Sequence, residues 1–122
     1  MSGKRILYYL DRRGRNPVLD EIRQLVPGEQ RKIDAYISVL QEGGEDLRRP
    51  IADYVGDKLY ELRPGPHRVL YFFFLRDNAV LLHLFRKRTD RLPDEERRVA
   101  LVRMADFIRR VERGEGWFEE EK

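Results

Sequence analysis

The sequence lacks cysteine, and none of its apolar runs approaches the length of a membrane span, which is about 18 residues. The absence of cysteine excludes disulfides and thiolate zinc sites, and it fits a reducing compartment. The N-terminal stretch also lacks the apolar segment and small-residue cleavage site of a secretory signal. We therefore expect a cytoplasmic protein that makes no contact with a membrane.

Motifs for cofactors are also missing. The sequence shows no metal-ligand spacing, no Walker loop, no dinucleotide fingerprint and no serine elbow. Its glycines stand singly or in pairs at predicted turns. If the protein is an enzyme, we expect its chemistry to come from its side chains, with no metal and no cofactor.

Charged residues, in contrast, are abundant. They make up 39% of the 122 residues, well above the average of about 25%. The chain still has 41% hydrophobic residues, with six Phe and six Tyr, which is enough to fill a core. The length predicts a single domain, residues 1–122, in which residues 114–122 form a short acidic tail.

The net charge of +3 hides an uneven distribution. Residues 58–113 contain 14 Lys and Arg against 8 Asp and Glu, which gives this region a charge of +6. A local basic excess is typical of proteins that bind an anionic partner such as nucleic acid. A soluble, arginine-rich surface explains the charge equally well.

Hydrophobic periodicity and turn residues predict an α+β fold with the order β-α-α-β-β-β-α and an antiparallel sheet of about four strands. Asn16 and Pro17 begin the first helix as N-cap and N1 proline, and Gly43 and Gly44 end the second. The predicted strand 5–10 comes first, followed by helices 17–25 and 29–41, a loop 45–57, three strands within 58–89, and a helix 93–113.

The turns between the last three strands predict a register. If Asp77 and Asn78 form a two-residue turn, Arg68 faces Lys87, and a four-residue connection at 64–67 places Arg63 opposite Arg68. One face of these strands is then apolar and packs on helices, with Tyr60 and Tyr71 in the core. The other face presents Arg63, Arg68 and Lys87 in a row, and an anion would relieve their mutual repulsion.

The cations of this region have two interpretations each. Arg68 is either a phosphate clamp, because a guanidinium can bind two phosphate oxygens, or a strand residue salt-bridged to Glu61. Lys87 and its neighbours Arg86 and Arg88 are either a nucleic-acid patch or a strand end that enters solvent. The sequence alone leaves these alternatives open.

The two histidines are candidates for proton transfer, because their free pKa is closest to neutrality. His83 lies between two leucines, where a packed histidine is the alternative. His67 lies in the turn before Arg68, where an exposed histidine without a role is the alternative.

Three segments, LYELRPGPHRVLYFF, LLHLFRKRT and LPDEE, together resemble the phage-derived HigB-like branch of the RelE/ParE toxin superfamily. The resemblance extends from about residue 17 to residue 113 and agrees with the predicted order of elements. It implies the toxin of a type II toxin–antitoxin pair that arrests growth as a ribosome-dependent, metal-independent mRNA endoribonuclease. The implied partners are a helix-turn-helix antitoxin, the ribosome with its mRNA, and operator DNA through the antitoxin complex.

The resemblance also implies site residues. The family's arginine of the third strand falls on Arg68, and its basic residue at the end of the last strand falls on Lys87, with Arg86 or Arg88 as alternatives. Such residues stabilise the charge that develops when a ribose 2′-OH attacks the adjacent phosphate. Catalysis is therefore expected from Arg68, Lys87, His83 and His67, and RNA binding from Arg63, Arg68, Arg86, Lys87 and Arg88.

The chain departs from the family pattern at two places. Leu59 and Glu61 replace lysines of the second strand, and no tyrosine follows Thr89 in the last helix. The general acid and base therefore stay open among His67, His83 and Glu61. These departures leave open two alternatives to an endoribonuclease. One is a ParE-like inhibitor of DNA gyrase without catalysis, and the other is an inactive toxin-like binding module or co-repressor.

Near the C-terminus, Trp117 and Phe118 precede the acidic end of the tail. They either contact a partner or fold back onto the domain.

Overall fold

The computed structural model describes residues 3–115 and the backbone of residues 119–120. Trp117 and Phe118 lie outside the described residues. The elements are β1 (Arg5–Tyr8), α1 (Pro17–Arg23), α2 (Pro27–Gly43), a 3-10 turn (Gly44–Asp46), β2 (Ala52–Gly56), β3 (Leu59–Leu62), β4 (His67–Phe74), β5 (Asn78–Arg86), α3 (Asp94–Glu112) and β6 (Glu119–Glu120). None of the described helices combines the length and the apolar composition needed to cross a bilayer.

All three predicted helices are present, and local chemistry sets their ends. The Asn16 side chain accepts a 3.0 Å hydrogen bond from the Leu19 N–H, and Pro17 takes the first helical position of α1. Gly44 caps α2 with a φ of 54°, a conformation that glycine adopts without a steric penalty. Pro93 is the N-cap of α3, one position before the predicted N1.

The strands form one sheet in the order β2-β3-β4-β5-β1-β6, which confirms the α+β fold and adds strands to the four expected. β2 lies within residues 45–57, where we predicted a loop. That prediction was wrong because Pro50 and Gly56 obscure the period, while Ala52 is buried and pairs with Leu62. β1 pairs in parallel with β5, so the sheet is not wholly antiparallel.

The predicted register is right for one hairpin and wrong for the other. β3 and β4 pair as expected, with Tyr60 opposite Tyr71. Between β4 and β5 the turn is made by residues 75–77, so Phe74 pairs with Asn78. A bulge at Leu82 then shifts the ladder, and Arg68 faces Phe85 instead of Lys87. The predicted row of three cations across three strands is therefore wrong in its pairing.

Helices cover both faces of the sheet. α1 and α2 pack on the face that holds Tyr71, and α3 packs on the opposite face, where Phe107 contacts Phe72 and Phe74. The bulge places Leu82 on the α3 side, in the same core cluster as Phe72 and Phe107. The face that we predicted to be open to RNA is therefore largely covered, and what it leaves accessible lies near the end of β5.

Candidate functional site

Arg68, the predicted phosphate clamp, is buried, with only 6% of its surface exposed. Its Nη1 donates hydrogen bonds to the carbonyl oxygens of Gly65 and His67, at 2.8 and 2.7 Å, and so holds the turn between β3 and β4. Burial, followed by the charge of Arg63, lowers the pKa of Arg68. The guanidinium is thus committed to the main chain of its own turn.

Glu61 links the predicted cations of β3 and β4. Its Oε1 accepts a 2.7 Å hydrogen bond from Arg63 Nη1 and lies 3.9 Å from Arg68 Nε. Lys87 donates instead to Asp90, at 3.1 Å. Arg63 and Arg68 therefore converge on one carboxylate, and Lys87 has a separate partner.

His67 is buried at the start of β4 and is not an exposed turn residue. Its Nε2 lies 3.4 Å from Glu29 Oε1, but no described group forms a hydrogen bond with this nitrogen. Glu29 also lies 3.5 Å from Arg86 Nη1, measured from its second oxygen. The first turn of α2 is thereby attached to the ends of β4 and β5.

His83 makes the shortest contact among the candidates. Its Nε2 lies 2.6 Å from Glu96 Oε1, and Arg103 Nη1 lies 3.4 Å from its Nδ1. A guanidinium can only donate, so Nδ1 is the acceptor and Nε2 carries the proton given to Glu96. Burial lowers the pKa of His83, a shift that the Glu96 hydrogen bond opposes and the Arg103 charge reinforces. We therefore assign a neutral imidazole whose Nε2–H donates to Glu96.

The His83–Glu96 pair opens onto two adjoining clefts. One, of about 370 Å³, lies beside β5, and the other, of about 410 Å³, lies along the connection from β5 to α3. Arg86, Arg88 and Glu96 line both of them. The space exists because β1 runs beside only residues 78–81 of β5, so the rest of this edge has no neighbouring strand in the described part of the chain.

The two clefts carry both signs of charge. Glu21 adds a carboxylate to the first, and Arg91, Asp94 and Glu95 also line the second. The side chain of Arg86 is 63% exposed and that of Glu96 is 26% exposed, while His83 is 16% exposed. A phosphate would find two guanidinium groups beside a carboxylate that accepts protons. Among the described residues, no group of three or more His, Asp or Glu side chains could hold a metal ion.

Sequence reasoning named His83, Arg86 and Arg88 but missed Glu96 and Arg103. The first turn of α3 carries Asp94, Glu95 and Glu96, and three acidic residues at this place complement the helix dipole. This ordinary explanation conceals the contact that the third carboxylate makes with His83. The signal available was the short connection between β5 and α3, which returns the first turn of the helix to the end of the strand.

A comparison with protein families places this arrangement in a known group. Residues 20–105 match the family described as phage-derived protein Gp49-like (DUF891), and this range includes both histidines and Glu96. No curated protein matches the chain. The HigB-like branch stays a prediction. The matched range covers most of the chain, which therefore belongs to the phage-derived Gp49-like family.

Proposed function

We propose that this Gp49-like protein is the toxin of a type II toxin–antitoxin pair and cleaves mRNA on the ribosome without a metal ion. The observation that carries the proposal is the His83–Glu96 pair, which lies in an open cleft beside Arg86 and Arg88. Two other findings support the same function: the match to the phage-derived Gp49-like family, and the resemblance of three segments of this chain to RelE/ParE toxins.

In the proposed reaction, Glu96 is the general base. Both nitrogens of His83 are engaged, whereas the Glu96 carboxylate lines both clefts. Glu96 takes the proton of a ribose 2′-OH, the 2′-oxygen forms a bond with the adjacent phosphorus, and the bond to the 5′-oxygen breaks. Water protonates the leaving 5′-oxygen, so the products carry a 2′,3′-cyclic phosphate and a 5′-OH.

Arg86 and Arg88 have the electrostatic role. Guanidinium groups aimed at the phosphate lower the energy of the transition state, in which negative charge accumulates on the oxygens. His83 positions Glu96 by donating its Nε2–H. These roles need no cofactor.

The predicted catalytic roles of Arg68, Lys87 and His67 are not required by this scheme. In our proposal, Arg68 and His67 maintain the turn and the strand ends behind the cleft, as their buried contacts suggest. Lys87 stands between Arg86 and Arg88 in the sequence. It becomes available to bind RNA when its ion pair with Asp90 breaks.

The partners follow from the same proposal. A cognate helix-turn-helix antitoxin would silence the toxin by covering the cleft at His83 and Glu96, and the complex would reach operator DNA through the antitoxin. The ribosome would supply the mRNA in a fixed conformation, which brings the 2′-OH and the phosphate into line.

The test is purified protein added to ribosomes programmed with a defined mRNA, with the cut ends mapped by primer extension. We expect cuts at fixed positions within codons, and few or no cuts in the same mRNA without ribosomes. Inhibition of purified DNA gyrase with intact mRNA would replace this proposal by the ParE-like alternative. Inactivity in both assays would favour a binding module.

A further inference from the structure

Asp106, on α3, gathers arginines from two parts of the chain. It is only 6% exposed, and it accepts hydrogen bonds from Tyr9 Oη at 2.7 Å and from Arg110 Nη1 at 2.6 Å. Arg12 Nη2 and Arg109 Nη2 donate to its other oxygen, at 3.0 and 3.2 Å. One carboxylate thus faces three guanidinium groups, and a positive excess is left at the surface.

Two of these arginines are held in place yet accessible. The side chain of Arg12 is 61% exposed and that of Arg109 is 53% exposed, although each donates to Asp106. Anchored guanidinium groups lose less side-chain entropy when they bind an anion, because part of their rotamer freedom is already gone. Asp106 therefore preorganises an anion-binding surface.

The turn between β1 and α1 adds two further arginines. Asp11 Oδ1 accepts hydrogen bonds from the backbone N–H groups of Arg13 and Arg15, at 2.8 and 2.9 Å, so the backbone of this turn is fixed. Both side chains are exposed, and neither forms an ion pair within the described residues. The guanidinium groups of Arg13 and Arg15 are therefore accessible to a ligand from solvent.

The nearby carboxylates whose side chains the structure describes hold other groups. Glu115 lies 3.2 Å from Arg113 Nε and 3.7 Å from Arg110 Nε. Asp11 is used by the backbone of its own turn. Among the described side chains, an excess of positive charge therefore remains on four arginines, which we call the arginine cluster: Arg12, Arg13, Arg15 and Arg109.

The arginine cluster is connected to the cleft. Arg103 lies 3.4 Å from His83 Nδ1, and its guanidinium carbon is 5.7 Å from the centre of the Tyr9 ring, whose hydroxyl donates to Asp106. Glu96 and Asp106 stand on the same helix, about 15 Å apart at a rise of 1.5 Å per residue. Arg103 and Tyr9 thus link the cleft to Asp106 and its arginines.

We propose that the arginine cluster binds the phosphate backbone of RNA outside the cleft. Arginine forks bind phosphate oxygens in pairs and keep their charge at every accessible pH. The choice of RNA among polyanions rests on the proposed function, since the cluster continues the surface on which RNA would be cut. Its role is to dock RNA.

The experiment measures binding of a fluorescein-labelled single-stranded RNA by anisotropy, in a Glu96→Gln background that leaves the RNA intact. The test variant is Arg13→Gln with Arg15→Gln, because neither side chain holds Asp106. The matched control is Arg23→Gln with Arg31→Gln, two exposed arginines on α1 and α2. Circular dichroism verifies that every variant is folded.

We expect the test variant to bind RNA about tenfold more weakly, with a salt-dependence slope reduced by about 1.4, as expected for two lost phosphate contacts on a single strand. The control should keep the parent affinity and slope. An equal loss in both double variants, or no loss in either, would overturn the inference. Tighter binding to duplex DNA or to anionic lipid vesicles than to RNA would overturn it as well.

The two proposals can fail separately. If the arginine cluster binds RNA but the protein never cuts it, the proposed function is wrong and the docking surface stands. If the protein cuts RNA and the test variant binds as the parent does, only the docking surface is wrong.

Discussion

At the scale of single residues, burial separates the side chains that hold the fold from those that meet solvent. Arg68 and Arg86 stand at opposite ends of this range: the first is 6% exposed, and the side chain of the second is 63% exposed. Both are arginines near the end of a strand, so residue type and spacing did not distinguish them. The difference arises from the turn at residues 64–67, whose carbonyl oxygens capture Arg68.

This contrast gives a stability prediction for Arg68. Arg68→Ala removes two charge-assisted hydrogen bonds to carbonyl oxygens and should lower the free energy of unfolding by about 2 kcal/mol. Arg86→Ala should change it by less than about 0.5 kcal/mol, as expected for an exposed side chain. Urea denaturation of both variants measures the difference. An Arg68→Ala protein of unchanged stability that no longer cleaves RNA would instead support direct catalysis by Arg68.

Asp106 gives a second prediction, which concerns pH. Burial raises its pKa, but hydrogen bonds from Tyr9 and Arg110 outweigh burial and leave the pKa below its ordinary value. A carboxyl group with a lower pKa in the folded state stabilises the protein above its unfolded pKa of about 3.9. That contribution is lost as the pH falls from about 4 through the folded pKa.

We therefore expect Asp106→Asn to lower the free energy of unfolding by about 2 kcal/mol at neutral pH, because charged hydrogen bonds are lost. The difference in free energy of unfolding between the two proteins should shrink as the pH falls below the unfolded pKa of about 3.9, because the Asp106 carboxylate of the parent then loses its charge as well. Denaturation at a series of pH values measures this. A gap between the two proteins that stays constant down to pH 2 would contradict a folded pKa below the unfolded value of about 3.9.

At the scale of elements, α3 positions both the cleft and the arginine cluster. Its first turn carries Glu96, and its last turns carry Asp106 and Arg109. Phe107, which directly follows Asp106, is fully buried and packs edge-on against Phe72 and Phe74, with ring centres 5.8 and 5.2 Å away. The aromatic contact fixes the helix on the sheet, and so fixes the distance between the two surfaces.

Loss of this contact should be costly. Phe107→Ala should lower the free energy of unfolding by about 3–5 kcal/mol, the usual cost of emptying an aromatic site in a core. Val102→Ala, at a position on the same helix that is 62% exposed, should cost less than about 0.5 kcal/mol. Thermal denaturation compares the two variants, and similar melting temperatures would contradict the packing described for α3.

Elements were predictable from the sequence to the extent that their signals are local. Caps and amphipathic periods identified all three helices, and a short turn set the correct register between β3 and β4. β2 was missed, and so was the parallel pairing of β1, because both depend on distant partners. The bulge at Leu82 has no local signal, and it decides which residues of β5 face α3.

At the scale of the whole molecule, the predicted surface for RNA moved from the open face of a sheet to the edge beside β5. The sequence placed His83, Arg86 and Arg88 near that edge, but it could not show that α3 covers the rest of the face. It also could not show that Glu96 meets His83, since thirteen residues and a turn separate the two. The proposed site could be identified only from the contact between His83 on β5 and Glu96 on α3.

The central claim is that Glu96, held in place by His83, takes the proton of the attacking 2′-OH in RNA cleavage. It is tested most directly by single-turnover cleavage of mRNA on programmed ribosomes by the parent protein, by Glu96→Gln and by the control Glu42→Gln, an exposed glutamate on α2 that lines neither cleft. Gln at position 96 can still accept a hydrogen bond from His83, but it cannot act as a base. Loss of a general base should slow cleavage about 100-fold or more, while the control should cleave at the parent rate. Cleavage by a folded Glu96→Gln protein at the parent rate would contradict the account.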